Sequence, residues 1–391
     1  PPRIRYGNAP CHKTVTPADH VARTGELLIP ERRRMAGGIQ VNSIGKAYAG
    51  KPAVDGVSFD IAQHEFFVIV GQSGCGKSTL LRLIAGLETP DRGEIRLHGD
   101  LVAGDGTMVP PEQRGTGFVF QSYALWPHMT VRGNVAFPLE AAGMSRRQAA
   151  RMAEPHLETV SMQALADRKP EALSGGQRQR VALARCLAGG ANTVLMDEPL
   201  ANLDPHLRGT MEKELLRFHR SSGATTIYIT HDQREAMALA DRMAVMQDGR
   251  FLQIGTPQEI YDRPACPEVA RFIGQGAVVP VTYQNGSAEL AGYRFPAAAL
   301  PGHPNGPAQA LLRPEGIKIR PDAGKDGVQG TGRSSLYRGG IWDAEVEIAG
   351  GALVSLTHGT ALHIGQPLSL AVDQAWVLPQ MQTRGELDET A

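Results

Sequence analysis

Short, largely apolar runs alternate along this chain with segments whose apolar residues recur every three to four positions. The runs are Phe66-Phe67-Val68-Ile69-Val70, Thr193-Val194-Leu195-Met196 and Thr226-Ile227-Tyr228-Ile229. Continuous hydrophobicity over so few residues predicts strands covered on both faces, as in a parallel sheet flanked by helices. Leu80 to Ala85 and the set Val181, Ala184, Leu187 and Ala188 have helical spacing, and Ser145 to Val160 reads as a further helix. Ahead of the first run, Gln40 to Val41, Lys46 to Tyr48, the alternating Val57-Ser58-Phe59-Asp60-Ile61, and Ile95 and Leu97 between polar neighbours predict antiparallel strands. After Ile273-Gly274, prolines and glycines punctuate short alternating segments. There Ala308 to Ile319 and Trp342 to Ile348 predict strands of a small barrel. No apolar run approaches the roughly 18 residues that a membrane-spanning helix needs.

The chemistry sits where strands end. The first run leads into Gly71-Gln72-Ser73-Gly74-Cys75-Gly76-Lys77-Ser78-Thr79 and then into a helix, which is the context a phosphate-binding loop requires. Glycines let successive N–H groups face one anion, the helix N-terminus adds partial positive charge, Lys77 reaches terminal phosphates, and Ser78 offers a hydroxyl to Mg²⁺. The second run delivers Asp197 and Glu198 at its C-terminal end, where open α/β sheets bind ligands. Asp197 is placed to hold Mg²⁺ through water and Glu198 to act as general base on an attacking water. Thr230-His231-Asp232 closes the third run; His231 suits contact with a γ-phosphate, although a lone histidine is also an ordinary surface residue. Leu173-Ser174-Gly175-Gly176-Gln177 opens another helix. Ser174 with Gln177 is a capping box, yet that leaves unexplained two glycines in a first turn, where each costs about 1 kcal/mol. Bare backbone there suits a docked anion.

In this order the motifs resemble the ATP-binding cassette (ABC) family of transporter ATPases, over Ile39 to Phe272. The resemblance implies an α/β fold: a P-loop NTPase with a RecA-like core, an antiparallel β subdomain and a helical subdomain. By the same resemblance Tyr48 stacks on adenine, though an aromatic beside Lys46 and Ala47 also fits packing on a strand. Gln121 senses Mg²⁺ and the lytic water, and the Ala201-Asn202-Leu203-Asp204 loop crosses a dimer interface. Ser174, Gly175, Gly176 and Gln177 contact the nucleotide of the partner subunit. One phosphate loop and one signature per chain imply a homodimer with two ATP sandwiched head to tail. The segment Ser122 to Met129 is similar to the groove that grips a membrane subunit in importers, with Tyr123, Leu125, Trp126 and Met129 as its apolar patch. Leu312-Arg313-Pro314-Glu315 tags an all-β, OB-like accessory (TOBE) domain. Expected partners are two transmembrane permease subunits and, indirectly, an extracytoplasmic substrate-binding protein, placing the chain peripherally on the cytoplasmic face of the inner membrane. The phrases YALWPHMTV (Tyr123 to Val131) and FIGQGAVVP (Phe272 to Pro280) are most similar to the ferric-iron and polyamine branch, iron slightly ahead, with sugars and oxyanions behind.

Composition sharpens this in a few respects. Across 391 residues, 40 basic and 40 acidic side chains give a formal net charge of +0, so no nucleic-acid or lipid-surface footprint is expected. The four cysteines, Cys11, Cys75, Cys186 and Cys266, lack zinc or redox spacing and are expected as reduced thiols. Residues 1–34 are rich in Pro and Arg and read as an upstream or disordered extension before a start at Met35. Residues 35–274 are the cassette and 275–391 the accessory domain. Two other functions compete with the transport ATPase: a soluble cassette ATPase acting on nucleic acid or ribosomes, and a non-catalytic binding module. Such soluble cassettes usually come in pairs or carry coiled-coil insertions and basic surfaces. The module is disfavoured by the complete set Lys77, Gln121, Glu198 and His231.

Overall fold

The computed structural model describes residues 38–201, 203, 205–320 and 327–380; Met35, the preceding extension, Asn202 and Asp204 lie outside them. An antiparallel sheet comes first, built from β1 (Ile39–Tyr48), β2 (Lys51–Ile61), β4 (Arg92–Leu97), β5 (Asp100–Gly104) and β6 (Thr107–Met108) in the order β2-β1-β4-β5-β6. The two segments expected at Gln40–Val41 and Lys46–Tyr48 are one strand. Its register against β2 slips between Val41 and Ile44 and around Lys46, with Ser43 at φ 48°, so bulges interrupt the alternation that the sequence pattern relies on.

The second sheet holds β3 (Phe66–Val70), β7 (Thr116–Val119), β8 (Thr193–Asp197), β9 (Thr225–Thr230), β10 (Arg242–Gln247) and β11 (Arg250–Gly255), ordered β11-β10-β3-β9-β8-β7. All neighbours are parallel except β10 and β11. Every residue of β3 and β9 is buried, which is why these strands read as unbroken apolar runs. Register then decides function. Val70 pairs with Thr230, and Asp197 with Ile229, so the phosphate loop, Glu198 and His231 all leave the same edge of the sheet.

Helices cover this sheet. They are α1 (Lys77–Ala85), α5 (Pro205–Ser222), α6 (Gln233–Leu239), and the group α2 (Val131–Ala141), α3 (Arg146–Thr159) and α4 (Gly175–Ala188). Val131, Val135, Ala149, Ala153, Leu157 and Val181 of the last group share one buried cluster with the strands. Two short helices, α7 (Pro257–Asp262) and α8 (Pro267–Phe272), end the α/β part.

Beyond them β12 (Ala277–Gln284), β13 (Ser287–Leu290), β14 (Tyr293–Ala298), β15 (Gly306–Leu312) and β21 (Ala375–Val377) close into a barrel. A further five-stranded sheet contains β16 (Ile317–Ile319), β17 (Val328–Tyr337), β18 (Trp342–Ile348), β19 (Leu353–His358) and β20 (Pro367–Val372). The stretch Ala308 to Ile319 is therefore not one strand. Pro314 lacks a ladder N–H and opens a 3₁₀ turn, which sends β15 to the barrel and β16 to the other sheet. Arg313, at that break, donates to the carbonyls of Ile273 (2.6 Å) and Tyr261 (2.7 Å) and lies 4.0 Å over the Tyr261 ring. The Tyr261 hydroxyl donates to Glu315 at 3.0 Å, and the Trp376 indole to the Pro264 carbonyl at 3.1 Å. The Arg313-Pro314-Glu315 tag thus pins the barrel to the α/β part.

Arg114 ties helix to sheet in the first half. It is 4% exposed, and its guanidinium donates to Leu83 and Ile84 at the C-terminus of α1 (3.0 and 2.9 Å), to Val102 of β5 (3.1 Å) and to Val109 (2.8 Å). Arg114→Met strands those carbonyls, and we expect it to lower the unfolding free energy by about 3 kcal/mol. Urea denaturation checks this; a loss below about 1 kcal/mol would show that the carbonyls find other partners.

Candidate functional site

The phosphate loop follows from backbone geometry that few sequences permit. Gly76, the residue before α1, sits at φ 106°, and a Cβ there would lie 2.0 Å from the Ala53 carbonyl oxygen, so both conformation and space demand glycine. Gln72, Ser73 and Gly74 are exposed at the tip, Gly71 and Cys75 are buried, and Ser78 and Thr79 are half-buried in the first turn of α1. Lys77 is 4% exposed. Its ammonium donates to the carbonyls of Gly71 (2.8 Å) and Gln72 (2.9 Å) and lies 3.8 Å from the Cys75 sulfur, none of which carries a charge. A buried ammonium whose hydrogen-bond partners are all dipoles, with the Asp197 carboxylate as the nearby counter-charge, still attracts a further anion.

Ser78 Oγ donates to Asp197 Oδ1 at 3.0 Å across the gap between α1 and β8. Burial raises the Asp197 carboxyl above the usual carboxylate range; the Ser78 hydrogen bond and the nearby Arg82 and Lys77 charges oppose that rise, and Glu198 adds to it. A hydroxyl beside a desolvated carboxylate is a fitting pair of oxygens for a small divalent cation that keeps most of its ligands from phosphate and water. Among the described residues no cluster of three or more His, Cys, Asp or Glu could hold a metal by itself.

Glu198 stands one residue past β8 at φ 45°, a left-handed conformation costing roughly 1–2 kcal/mol for a residue with a side chain. Its N–H is held by the Ile229 carbonyl at 3.1 Å. Its Oε2 lies 2.9 Å from His231 Nδ1. A carboxylate only accepts, so Nδ1 carries the proton in this contact and Nε2 is left for another partner. The pair can accept a proton at the glutamate and align a group at the imidazole. Gln121, two residues beyond β7, is exposed at the same edge, since Val119 pairs with Met196.

Tyr48 ends β1 at a tight turn in which Ala49 and Gly50 both have positive φ. It is 45% exposed, with the Lys46 ammonium 5.6 Å from the ring centroid, so it is a surface platform and not part of a strand's core face. Ser174 and Gln177 form the full capping box at α4, with Ser174 N–H donating to Gln177 at 2.9 Å and Gln177 N–H to Ser174 Oγ at 3.3 Å. Gly175 has a local reason as well: a Cβ there would meet Leu203 Cδ2 at 2.7 Å. Gly176 is buried at the next position. Asp204 lies outside the described residues.

The expected patch after Gln121 is divided. Tyr123 is 4% exposed with its hydroxyl on the Pro199 carbonyl (3.1 Å), and Leu125 and Met129 are half-buried, whereas Trp126 is 43% exposed and packs by its ring on Phe137. Tyr123 is thus a core residue that anchors the loop. Two supports were invisible in the sequence. Asp91 takes the Lys46 ammonium (2.9 Å) and the Ala47 N–H (2.7 Å), fixing the segment that presents Tyr48. Arg185 of α4 donates to the carbonyls of Ala124 (2.6 Å) and Tyr123 (3.0 Å), joining the signature helix to the segment after Gln121. Both bind backbone far away in sequence, for which a residue pattern carries no signal.

Residues 54–201 match the ABC transporter family and residues 310–378 the TOBE domain. A spermidine/putrescine import ATP-binding protein of Pseudomonas fluorescens strain Pf-5 is 39% identical over 357 residues, covering 86% of this chain and 95% of that one. An sn-glycerol-3-phosphate import ATP-binding protein of Rhizobium meliloti strain 1021 is 41% identical over 335 residues, covering 85% and 90%. Among solved structures, a dimeric ATP-binding cassette in a post-hydrolysis state with ADP and Pi is similar with a TM-score of 0.50 and 30% identity, over 56% of this chain and 98% of that one.

Burial pushes the Cys75 thiol up, against the opposing pull of Lys77, and pushes Cys186 up to about 11. Thiols, not thiolates, are therefore present at pH 7.5. We expect iodoacetamide to label both far more slowly in the folded chain than in urea, with rates climbing as pH rises above 9. Mass spectrometry of the labelled peptides checks this; labelling of Cys75 at the unfolded rate at pH 7.5 would contradict it.

Proposed function

This chain belongs to the ABC transporter ATPases of the import type that carry a TOBE domain, and we propose that it couples ATP hydrolysis to substrate import as a head-to-tail homodimer. It binds ATP and hydrolyses it to ADP and phosphate. The observation that carries the mechanistic reading is the convergence on one sheet edge of the Lys77 ammonium, the Ser78–Asp197 pair at 3.0 Å and the Glu198–His231 pair at 2.9 Å.

In this reading residues 35–274 form the cassette and 275–391 the accessory domain. Loop N–H groups from Gly71 to Thr79 wrap the phosphates while Lys77 neutralises their charge, and Tyr48 stacks on the adenine. Ser78, Gln121 and Asp197 would hold Mg²⁺, which when bound would supply charge neutralisation at the phosphates. Glu198 accepts the proton of the attacking water, and His231, oriented by Glu198 through Nδ1, steadies the γ-phosphate by a hydrogen bond donated from Nε2, which therefore carries a proton in that contact. Ser174, Gly175, Gly176 and Gln177 complete the nucleotide site of the partner subunit, and Asp204 is a further nucleotide-contacting residue in this reading. The dimer of the ADP-bound neighbour supports this arrangement.

Two transmembrane permease subunits receive the motion, with Trp126 as the exposed anchor, and an extracytoplasmic binding protein delivers cargo to them. No described helix is long and apolar enough to cross a membrane, so the chain would reach the cytoplasmic face of the inner membrane through those subunits. For cargo, the name of the Pseudomonas relative supports a polyamine and the Tyr123 to Val131 phrase supports ferric iron or a polyamine, so polyamine stands first and iron second. The glycerol-phosphate relative aligns at similar identity, 41% against 39%, and overall identity does not separate the cargoes. The soluble alternative on nucleic acid or ribosomes has in its favour only the shared cassette.

ATPase rate against protein concentration tests the reading. We expect activity to rise more steeply than linearly, and Glu198→Gln to slow turnover by roughly 10²- to 10⁴-fold while ATP traps that variant as a dimer on gel filtration. Unimpaired turnover of the variant would remove Glu198 from the role of base, and strictly linear activity without a trapped dimer would remove the two-copy engine.

A further inference from the structure

We propose that Arg208 is a positioning residue for His231, linking helix α5 to the histidine's loop through two carboxylates at once. Arg208 lies in the first turns of α5, which the chain enters directly from the Ala201 to Asp204 loop. Its Nη1 donates to Asp232 Oδ2 at 2.9 Å, and its Nε lies 3.5 Å from Glu235 Oε1. Asp232 is the residue after His231; its other oxygen accepts the Arg234 N–H at 2.8 Å and caps α6.

Glu235 is the deeper half of the device. Its side chain is 4% exposed, and Oε2 accepts from the hydroxyls of Tyr228 and Thr230, each at 2.7 Å. Thr230 Oγ1 also accepts the Asp232 N–H at 3.0 Å. The residues on both sides of His231 are therefore fixed by hydrogen bonds that converge on Glu235 and Asp232. Of the groups that hold these two acids, Arg208 comes from another helix. A buried carboxylate with two hydroxyl donors still needs a positive charge nearby, and Arg208 brings it. Motion of the N-terminal end of α5 reaches the imidazole through this guanidinium, which hydrogen-bonds Asp232 through Nη1 and keeps Nε within ion-pair range of Glu235. Glu212, on the next turn of α5, also senses Glu235, Asp232 and Arg208, with its carboxyl raised by burial first.

This inference rests on the ATPase reading above, and on its assignment of the loop before α5 to the dimer interface. Its test is steady-state and single-turnover ATPase of the full chain. Arg208→Ala is expected to lower kcat by roughly 10- to 100-fold with KM for ATP within about twofold of wild type, since misplacing a catalytic group by an ångström costs on that order. Arg208→Lys should recover part of the loss. In a His231→Ala background Arg208→Ala should cost nothing further, because the residue acts through the imidazole. Should the alanine variant fold poorly, Arg208→Gln combined with Glu235→Gln removes both buried charges together and should show the same loss of kcat at unchanged KM. Losses that multiply in the His231→Ala background, a raised KM at unchanged kcat, or full activity of both variants would overturn the proposal. A Glu198→Gln dimer trapped by ATP in the presence of Arg208→Ala keeps this test separate from the dimer reading, whose own failure is loss of the trap with Arg208 intact.

Discussion

The buried ammonium of Lys77 is the constraint on which the site depends. It is held by loop carbonyls and faces no charge among those partners, so the loop is electrostatically incomplete without an anion. The loop stays open to that anion because Gly76 holds a left-handed turn against the Ala53 carbonyl, leaving no room for a side chain. The same turn starts α1, whose far end Arg114 fastens to β5. Phosphate attraction, helix placement and the link between the two sheets are in this sense one piece of local geometry.

Around that anchor, strand register supplies the rest. β3, β9 and β8 are adjacent and parallel, so residues 71, 198 and 231, distant in sequence, leave the sheet together. Strain is concentrated at Glu198, which keeps a left-handed backbone with its amide on Ile229 and its carboxylate on His231. The carboxylates at this edge differ in environment. Asp197 is desolvated and tied to Ser78, while Glu198 is turned to the histidine. That difference suits one to a cation and the other to a proton.

Much of this was legible in the sequence, for a physical reason. Phe66 to Val70 and Thr226 to Ile229 read as strands because a parallel sheet covered on both faces favours continuous apolar and β-branched residues, and the phosphate loop was legible because few residues other than glycine fit its turns. What failed to read was set by contacts remote in the chain. The bulges of β1 hid a single strand behind two fragments. Pro314 divided a continuous-looking stretch between two sheets, and Tyr123 proved to be a core residue because its hydroxyl finds the carbonyl of Pro199. Arg114 and Arg185 were silent for the same reason: each serves backbone carbonyls of segments elsewhere, and a carbonyl has no letter in the sequence.

Phosphate charge completes the environment of Lys77. The most direct measurement is the urea midpoint of wild type and Lys77→Met, each with saturating pyrophosphate or with adenosine. Pyrophosphate should stabilise wild type by about 2.7 kcal/mol at a hundredfold excess over its dissociation constant, adenosine should add much less, and the pyrophosphate effect should disappear in Lys77→Met. Equal stabilisation of the variant by pyrophosphate, or a wild-type response carried by adenosine alone, would contradict it.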